Sequence, residues 1–248
     1  MGRDLQRKSK TTLIKVIEME HWLTRAEMLV GADNLRRLAA VRVAVFGLGG
    51  VGGYVAEALA RSGIGHLLLV DGDCFSVTNL NRQIGATVAT VGMDKTAVMQ
   101  RRIQSVNPDC QVEVERRFYQ PGEFEEFLSG QVDYVADAID DTQAKVDLLA
   151  QCVQHHVPVI SAMGTGNKLA PEELCFADIS ATQGCPLARS VRQKLRKLGI
   201  ERGVTVVYSE EQPLKVDGAT PGSMVFVPAT AGLMMASYIV RKLLEDKL

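Results

Sequence analysis

A run of closely spaced glycines, Gly47-Leu48-Gly49-Gly50-Val51-Gly52, sits between an apolar stretch at residues 41–46 and residues 51–61, where Val51, Val55, Ala58 and Leu59 share one helical stripe. The spacing predicts a strand, a tight turn and a helix. Glycine lets a backbone turn this tightly and approach a bound group closely. The helix that follows offers unpaired N–H groups and the positive end of its dipole, which suits a phosphate. Asp71 closes the next apolar stretch, residues 67–70, at the chain spacing where an acid accepts hydrogen bonds from ribose hydroxyls. Strand, loop, helix and acid in this order point to a nucleotide, with Gly47, Gly49, Gly50, Gly52 and Asp71 as contacts. The loop does not say which nucleotide, and NAD is what this much of the pattern suggests first.

The alternation continues down the chain. A helix is expected over 93–105, stopped ahead of Asn107-Pro108, then strands at 112–114 and 132–136, a helix over 143–155 and a strand at 157–161. Mostly apolar strands alternating with helices predict a parallel sheet covered on both faces. After the turn cluster Gly164-Thr165-Gly166-Asn167 the alternation lapses. The pattern there predicts a strand at 174–179, an amphipathic helix over 186–198 with Leu187, Val191, Leu195 and Leu198 on its apolar face, strands at 204–208 and 223–227, and a helix over 230–244. The fold class is therefore α/β: a Rossmann-like, doubly wound, mainly parallel sheet with a C-terminal α/β extension. Residues 1–20 form a poorly ordered N-terminal extension on this reading, residues 21–248 one domain, and residues 164–222 an insertion that binds substrate.

A chain of 248 residues suits one large domain. Lys+Arg 28 against Asp+Glu 29 excludes a wholesale polyanion binder and leaves a local basic patch open. The five cysteines, Cys74, Cys110, Cys152, Cys175 and Cys185, are odd in number and contain no C-x-x-C pair. That argues against a disulfide framework and a tetrathiolate zinc site, and suits a reducing, cytoplasmic setting. The uncharged stretch 218–240 contains Pro221, Gly222, Pro228 and Gly232 and reads as a buried core helix preceded by a strand and a turn, not a membrane span. Peripheral membrane association through the C-terminal apolar helix stays open.

Three features do not belong to a hydride-transfer site. Asp71-Gly72-Asp73 is followed by Thr78-Asn79-Leu80-Asn81-Arg82-Gln83, which sets a guanidinium and amides just after the ribose-binding acid. Gly92-Met93-Asp94-Lys95 starts a helix with a lysine in its first turn, where the helix dipole disfavours a cation and a triphosphate would compensate it. Asp137-Ala138-Ile139-Asp140-Asp141 closes the fourth strand, at the edge where open α/β sheets bind ligands and where paired acids hold Mg²⁺. Each has a plainer reading: Arg82 as a surface ion pair, Lys95 as a solvated helix residue, Asp140 as an N-cap. Residues 186–202 add Arg189, Arg192, Lys194, Arg196, Lys197 and Arg202 against the single acid Glu201, with Lys168 and Lys215 as extensions. This cationic face suits a phosphate backbone, or else is a solvated helix face.

The combination resembles the ubiquitin-activating-enzyme-like (ThiF/MoeB/HesA) adenylating superfamily. The resemblance spans roughly residues 22–244 and is carried by 47–52, 71–83, 92–95, Val106-Asn107-Pro108 and 137–141. Within the superfamily it is similar to the tRNA threonylcarbamoyladenosine dehydratases. That branch is marked by 163–169, Asp178-Ile179, Pro186-Leu187-Ala188-Arg189, Val207-Tyr208-Ser209-Glu210, Pro221-Gly222-Ser223 and Phe226-Val227-Pro228. The resemblance implies ATP-dependent cyclisation of N6-threonylcarbamoyladenosine at position 37 of tRNA through an acyl adenylate, releasing AMP and pyrophosphate. It implies ATP and Mg²⁺ as cofactors and no zinc. It assigns Gly50 and its neighbours, with Asp71 and Asp73, to the nucleoside; Asn79, Arg82 and Lys95 to the phosphates; and Asp140, with Asp141, to Mg²⁺. It implies a homodimer in which Arg25 reaches the neighbour's ATP. Modified tRNA would lie on Lys168, Arg189, Arg192, Lys194, Arg196 and Lys197. No residue assigns a cysteine-desulfurase partner.

Two rival readings share part of this signal. Adenylation of the C-terminal glycine of a ubiquitin-like sulfur carrier would use the same ATP loop, but carriers' activators usually have two C-x-x-C pairs and often a nucleophilic cysteine. Cys185, just before the basic helix, is the candidate thiol, with a buried, inert cysteine as the alternative. A non-catalytic, nucleotide-dependent RNA-binding protein would not need the full set Asp71, Arg82, Lys95 and Asp140.

Overall fold

The structure is a computed structural model that describes residues 21–244 apart from Ser129 and Ala219. The expected extension over residues 1–20 lies outside the described residues. Seven strands form one sheet: β1 Arg42–Phe46, β2 His66–Val70, β3 Gln111–Glu115, β4 Tyr134–Asp137, β5 Val159–Ala162, β6 Leu174–Asp178 and β7 Thr205–Ser209. Their spatial order is β3-β2-β1-β4-β5-β7-β6, parallel throughout except for β6 against β7. The chain winds outward from β1 to β3 and then returns to β4. A crevice therefore opens between the C-terminal ends of β1 and β4, where the register sets Phe46 beside Asp137.

The strand sequences account for this order. β4 and β5 are buried at every position and β1 and β2 at all but their first, as coverage on both faces demands. β3 carries Gln111, Glu113 and Glu115 and sits at an edge, where charge discourages further pairing. Alternate side chains then feed two cores. Val43, Val45, Leu67 and Leu69 face helices α2 (Ala32–Ala40), α3 (Gly52–Arg61), α4 (Lys95–Val106) and α8 (Phe226–Leu244). Ala44, Phe46, Leu68 and Val70 face α5 (Phe124–Leu128), α6 (Thr142–Gln154) and α7 (Pro186–Lys197). A short helix α1 (Thr24–Val30) precedes α2.

Two expectations change at the C-terminal end. Residues 223–227 form no strand: Phe226 and Val227 open α8, and the preceding residues have no regular structure. Pro228 falls in the first helical turn, where no N–H is required and its fixed φ suits the helix. Leu198 is 54% exposed, because α7 stops at Lys197 and its buried face is made by Ala188, Val191 and Leu195. The expected core helix at the end of the chain is present, with Val227, Ala231, Met235 and Ile239 buried. No helix among the described residues is long and apolar enough to cross a membrane.

Helix α8 lies directly on α3. A β-carbon at Gly232 would stand 2.5 Å from the Val51 carbonyl oxygen and 2.9 Å from the Tyr54 β-carbon. Replacing Gly232 by Val should therefore overpack this contact and cost about 1–3 kcal/mol in a urea unfolding titration. An unchanged midpoint would mean that α8 is not seated by this contact.

Candidate functional site

The glycine loop is ringed by five residues from four other segments. A β-carbon at Gly47 would lie 2.6 Å from the Ala138 carbonyl oxygen, and Gly47 holds φ +84°, a conformation L side chains rarely adopt. Leu48 N donates to Asp71 Oδ2 at 2.6 Å. A β-carbon at Gly49 would meet only Gln83 Nε2, at 3.8 Å, and one at Gly50 would stand 3.5 Å from Arg82 Cγ and 3.3 Å from Pro228 Cβ. Gly52 opens α3 with its α-carbon so near the Gly47 carbonyl that no side chain fits. Gln83 is 7% exposed, and its Oε1 is buried without a hydrogen-bond partner. A ligand bound at the loop could supply the partner that this carboxamide oxygen lacks.

The acids and the lysine behind the loop are already coupled. Asp71 is buried, and its second oxygen accepts from Asp73 N at 2.8 Å. Lys95, the first residue of α4, is 5% exposed. Its Nζ stands 2.8 Å from Asp73 Oδ2 and 3.7 Å from Asp71 Oδ2. The cation that the helix dipole disfavours is thus compensated within the chain, so its position does not by itself require a triphosphate. Arg82 Nη1 donates to the Thr78 carbonyl at 2.7 Å and to Asn81 Oδ1 at 3.0 Å, which aims the arm along the loop. Asn79 is half-buried and its Oδ1 accepts from Ser76 N at 3.0 Å, closing a short 3₁₀ turn. Asn81 Nδ2 donates to the Ser223 carbonyl at 2.8 Å, tying the segment before α8 to this loop.

At the end of β4 the two acids separate in role. Asp141 is the N-cap of α6, its carboxylate accepting from Gln143 N and Ala144 N. Asp140 is exposed at the edge itself. Among the described residues no three His, Cys, Asp or Glu side chains gather as a metal cage. A lone carboxylate beside a phosphate loop nonetheless fits Mg²⁺, which takes one or two carboxylates and completes its shell with water and substrate phosphates. The sequence pattern sets Asp137 beside these two as part of the ligand edge. It is instead fully buried, paired with Lys145 at 2.6 Å and bonded to Ser161 Oγ at 2.6 Å. Sequence reasoning does not single out Lys145 or Ser161, because one lysine in an amphipathic helix carries no mark of burial.

The expected tRNA residues divide. Lys168 is 3% exposed and donates to the Ser209 carbonyl at 2.9 Å, and burial pulls its pKa below the usual lysine value. It braces the turn after β5 and does not join the surface. The same turn is held by Glu211, whose carboxylate accepts from Leu169 N and Ala170 N; those N–H donors lower its pKa. Arg192 Nη1 donates to the Thr182 carbonyl at 2.8 Å and to Thr182 Oγ1, so it pins residues 179–182. Arg189, Arg196 and Lys197 are exposed and Lys194 is half-buried. Of these, Arg189 borders a cleft of about 340 Å³ together with Gln183 and Gln193. Cys185 precedes α7 and is 4% exposed. Arg25 is exposed on α1, whose preceding Leu23 packs beside Gly63 past the far end of α3. The start of α1 is thus about a helix length, roughly 15 Å, from the glycine loop of its own chain.

Comparisons with known proteins match nearly the whole chain. The model of the ThiF family matches residues 23–248. A tRNA threonylcarbamoyladenosine dehydratase of Bacillus subtilis is 42% identical over 92% of this chain and 96% of its own length. Crystal structures of the Escherichia coli tRNA N6-threonylcarbamoyladenosine dehydratase superpose closely. The complex with AMP gives a TM-score of 0.86 and the complex with ATP 0.85, each at 35% identity over 89% of this chain and 92% of that one. With the glycine loop, the acid of β2 and the C-terminal extension all inside the matched span, the chain belongs to the ThiF family.

Proposed function

We propose that this protein is an ATP-dependent tRNA threonylcarbamoyladenosine dehydratase. One observation carries the reading: Ala138, Asp71, Gln83 and Arg82 ring the open glycine backbone at 47–50, the place where a ThiF-type chain would seat a nucleotide. The threonyl carboxylate of the modified tRNA attacks the α-phosphorus of ATP, and the bond to the pyrophosphate oxygen breaks. The acyl carbon is then attacked by the carbamoyl group of the same nucleoside: the ring closes, the bond to the AMP oxygen breaks and the N–H proton of that group passes to solvent. The carboxylate oxygen leaves with AMP, so no thioester and no enzyme nucleophile is needed.

The chain's work in this scheme is positioning and charge neutralisation. Asp71 takes the ribose hydroxyls, with Asp73 beside it. Asn79, Arg82 and Lys95 hold the phosphates, with Lys95 held in place by the Asp71 and Asp73 carboxylates. Asp140 would hold Mg²⁺, which would supply further charge neutralisation on the phosphates. Arg25 serves the site of a neighbouring protomer in a homodimer, a role supported by its distance from its own glycine loop. Arg189, Lys194, Arg196 and Lys197 carry the tRNA phosphates. Sulfur-carrier adenylation is less favoured, because the sequence has no C-x-x-C pair and does have this basic face.

Pyrophosphate release should depend on tRNA bearing threonylcarbamoyladenosine and not on a small protein ending in Gly-Gly. Release with the small protein alone would transfer the assignment to sulfur-carrier activation. Replacing Arg82 by Ala should lower kcat by about 10²–10³, the usual cost of removing one donor from a developing charge; a kcat near the parent's would take Arg82 out of the site.

ATP should raise the melting temperature where NAD does not. A ligand bound only by the native state adds about 2.7 kcal/mol at a hundred times its dissociation constant. Stabilisation by NAD equal to that by ATP would overturn the adenylation reading.

The basic face is tested by replacing Arg189, Arg196 and Lys197 together with Gln, leaving Arg192 in its bracing role. The slope of log tRNA affinity against log salt should flatten by roughly 0.7–0.9 for each phosphate that the variant no longer neutralises. ATP affinity should not change. An unaltered slope would leave α7 as a solvated face.

A further inference from the structure

The Asp137–Lys145–Ser161 network lies in the core beneath the C-terminal ends of β4 and β5. All three side chains are fully buried. Lys145 Nζ donates to Asp137 Oδ2 at 2.6 Å, to Ser161 Oγ at 3.1 Å and to the Ala162 carbonyl at 3.1 Å, so each of its three protons has an acceptor. Ser161 Oγ donates to the same Asp137 oxygen at 2.6 Å. The other oxygen, Oδ1, accepts from Ile139 N at 3.0 Å. The network thus joins the ends of β4 and β5 to the first turns of α6 and reaches forward into the turn after β4.

A buried ion pair is weak evidence for stability, because well-packed apolar residues of the same volume often serve as well or better. Apolar residues could hold β4, β5 and α6 together. They could not supply a directional lock on the Ile139 peptide. That peptide follows Ala138, the residue against which the glycine loop is packed: the Ala138 oxygen faces Gly47 at 2.6 Å from a would-be β-carbon, and Ala138 Cβ lies 3.2 Å from the same point on Gly52. A shift of this turn moves the loop on one side and Asp140 on the other.

We propose that Asp137, Lys145 and Ser161 are positioning residues: the buried network fixes the 137–140 turn against the glycine loop and so sets the reach of Asp140 toward the phosphates. The proposal rests on the ATP-using reading above and deepens it, since none of the three touches substrate. It predicts a role seen in local order and in kcat, separate from global stability.

The test replaces the three together by apolar isosteres, Asp137→Leu, Lys145→Met and Ser161→Ala, in the full-length chain. Amide hydrogen exchange is followed in the nucleotide-free protein, and kcat and KM for ATP are measured with modified tRNA. The variant should keep the parent's melting temperature and unfolding cooperativity. Exchange at Ile139, whose N–H is bonded to Asp137, should accelerate by about tenfold or more while β2 is unchanged. The kcat should fall about 10–100-fold, the range found when groups behind metal ligands are removed, with a smaller change in KM for ATP. Either readout staying within about twofold of the parent overturns the proposal. Should the triple variant not fold, Ser161→Ala alone leaves the ion pair in place and carries the same two readouts under the same rule. A parent that releases no pyrophosphate would sink the ATP reading, and exchange in the nucleotide-free protein would still decide whether the network locks the turn.

Discussion

Two turns from different strands occupy almost the same space at the switch point of the sheet, and they do so only because one of them lacks side chains. The β1–α3 turn enters with Gly47 at positive φ and leaves with Gly52 against the Gly47 carbonyl, while the turn after β4 presses Ala138 into the gap. A β-carbon at Gly47 would push apart the ends of β1 and β4, neighbours through register pairs such as Phe46 with Asp137, and one at Gly52 would break the glycine turn itself. The closeness of these turns brings the start of α3 and the turn after β4 to one edge of the sheet. The strand order, the buried central strands and the seating of α8 all serve that approach.

Around this point charge is organised before any ligand arrives. Lys95 is held between Asp71 and Asp73, Asp71 is held by Leu48 N and Asp73 N, and Arg82 is steered by a carbonyl. A site whose dipoles and charges are fixed in advance needs little rearrangement as negative charge develops on a phosphate. The same economy explains why Lys95 tolerates the first turn of α4. Its unfavourable meeting with the helix dipole is outweighed at 2.8 Å by the carboxylate of Asp73.

Much of this was legible in the sequence, because it is written in local pattern. The glycine spacing, the acid after β2 and the regular change of period marked the doubly wound half. The loss of alternation after Gly164 marked where β6 would run against β7. What escaped depends on contacts between distant residues. Pro228 suggested a break between a strand and a helix, yet it is a first-turn proline with Phe226 and Val227 already helical. Leu198 matched the apolar stripe of α7 by spacing, but the helix ends one residue sooner. Lys168 and Arg192 counted as surface cations because their types usually are; carbonyls of Ser209 and Thr182 drew them inward. Lys145 shows the limit most plainly. Its burial follows from Asp137 and Ser161 standing on adjacent strands, and strand adjacency is not encoded within any short window.

The contact of Pro228 with Gly50, and the bond from Asn81 to the Ser223 carbonyl, make the loop near the start of the domain depend on a helix near its end. During synthesis the glycine loop leaves the ribosome long before α8 does. At about 5–20 residues per second the interval is on the order of ten seconds. Throughout it the β1–α3 turn lacks the wall that α8 provides and exposes the apolar face that Ala231, Met235 and Ile239 later cover. The nascent chain therefore carries the glycine loop before the wall it packs against, and that packing is complete only with the last helix. A ribosome stalled before residue 226 would display a chain with its signature complete and that wall absent.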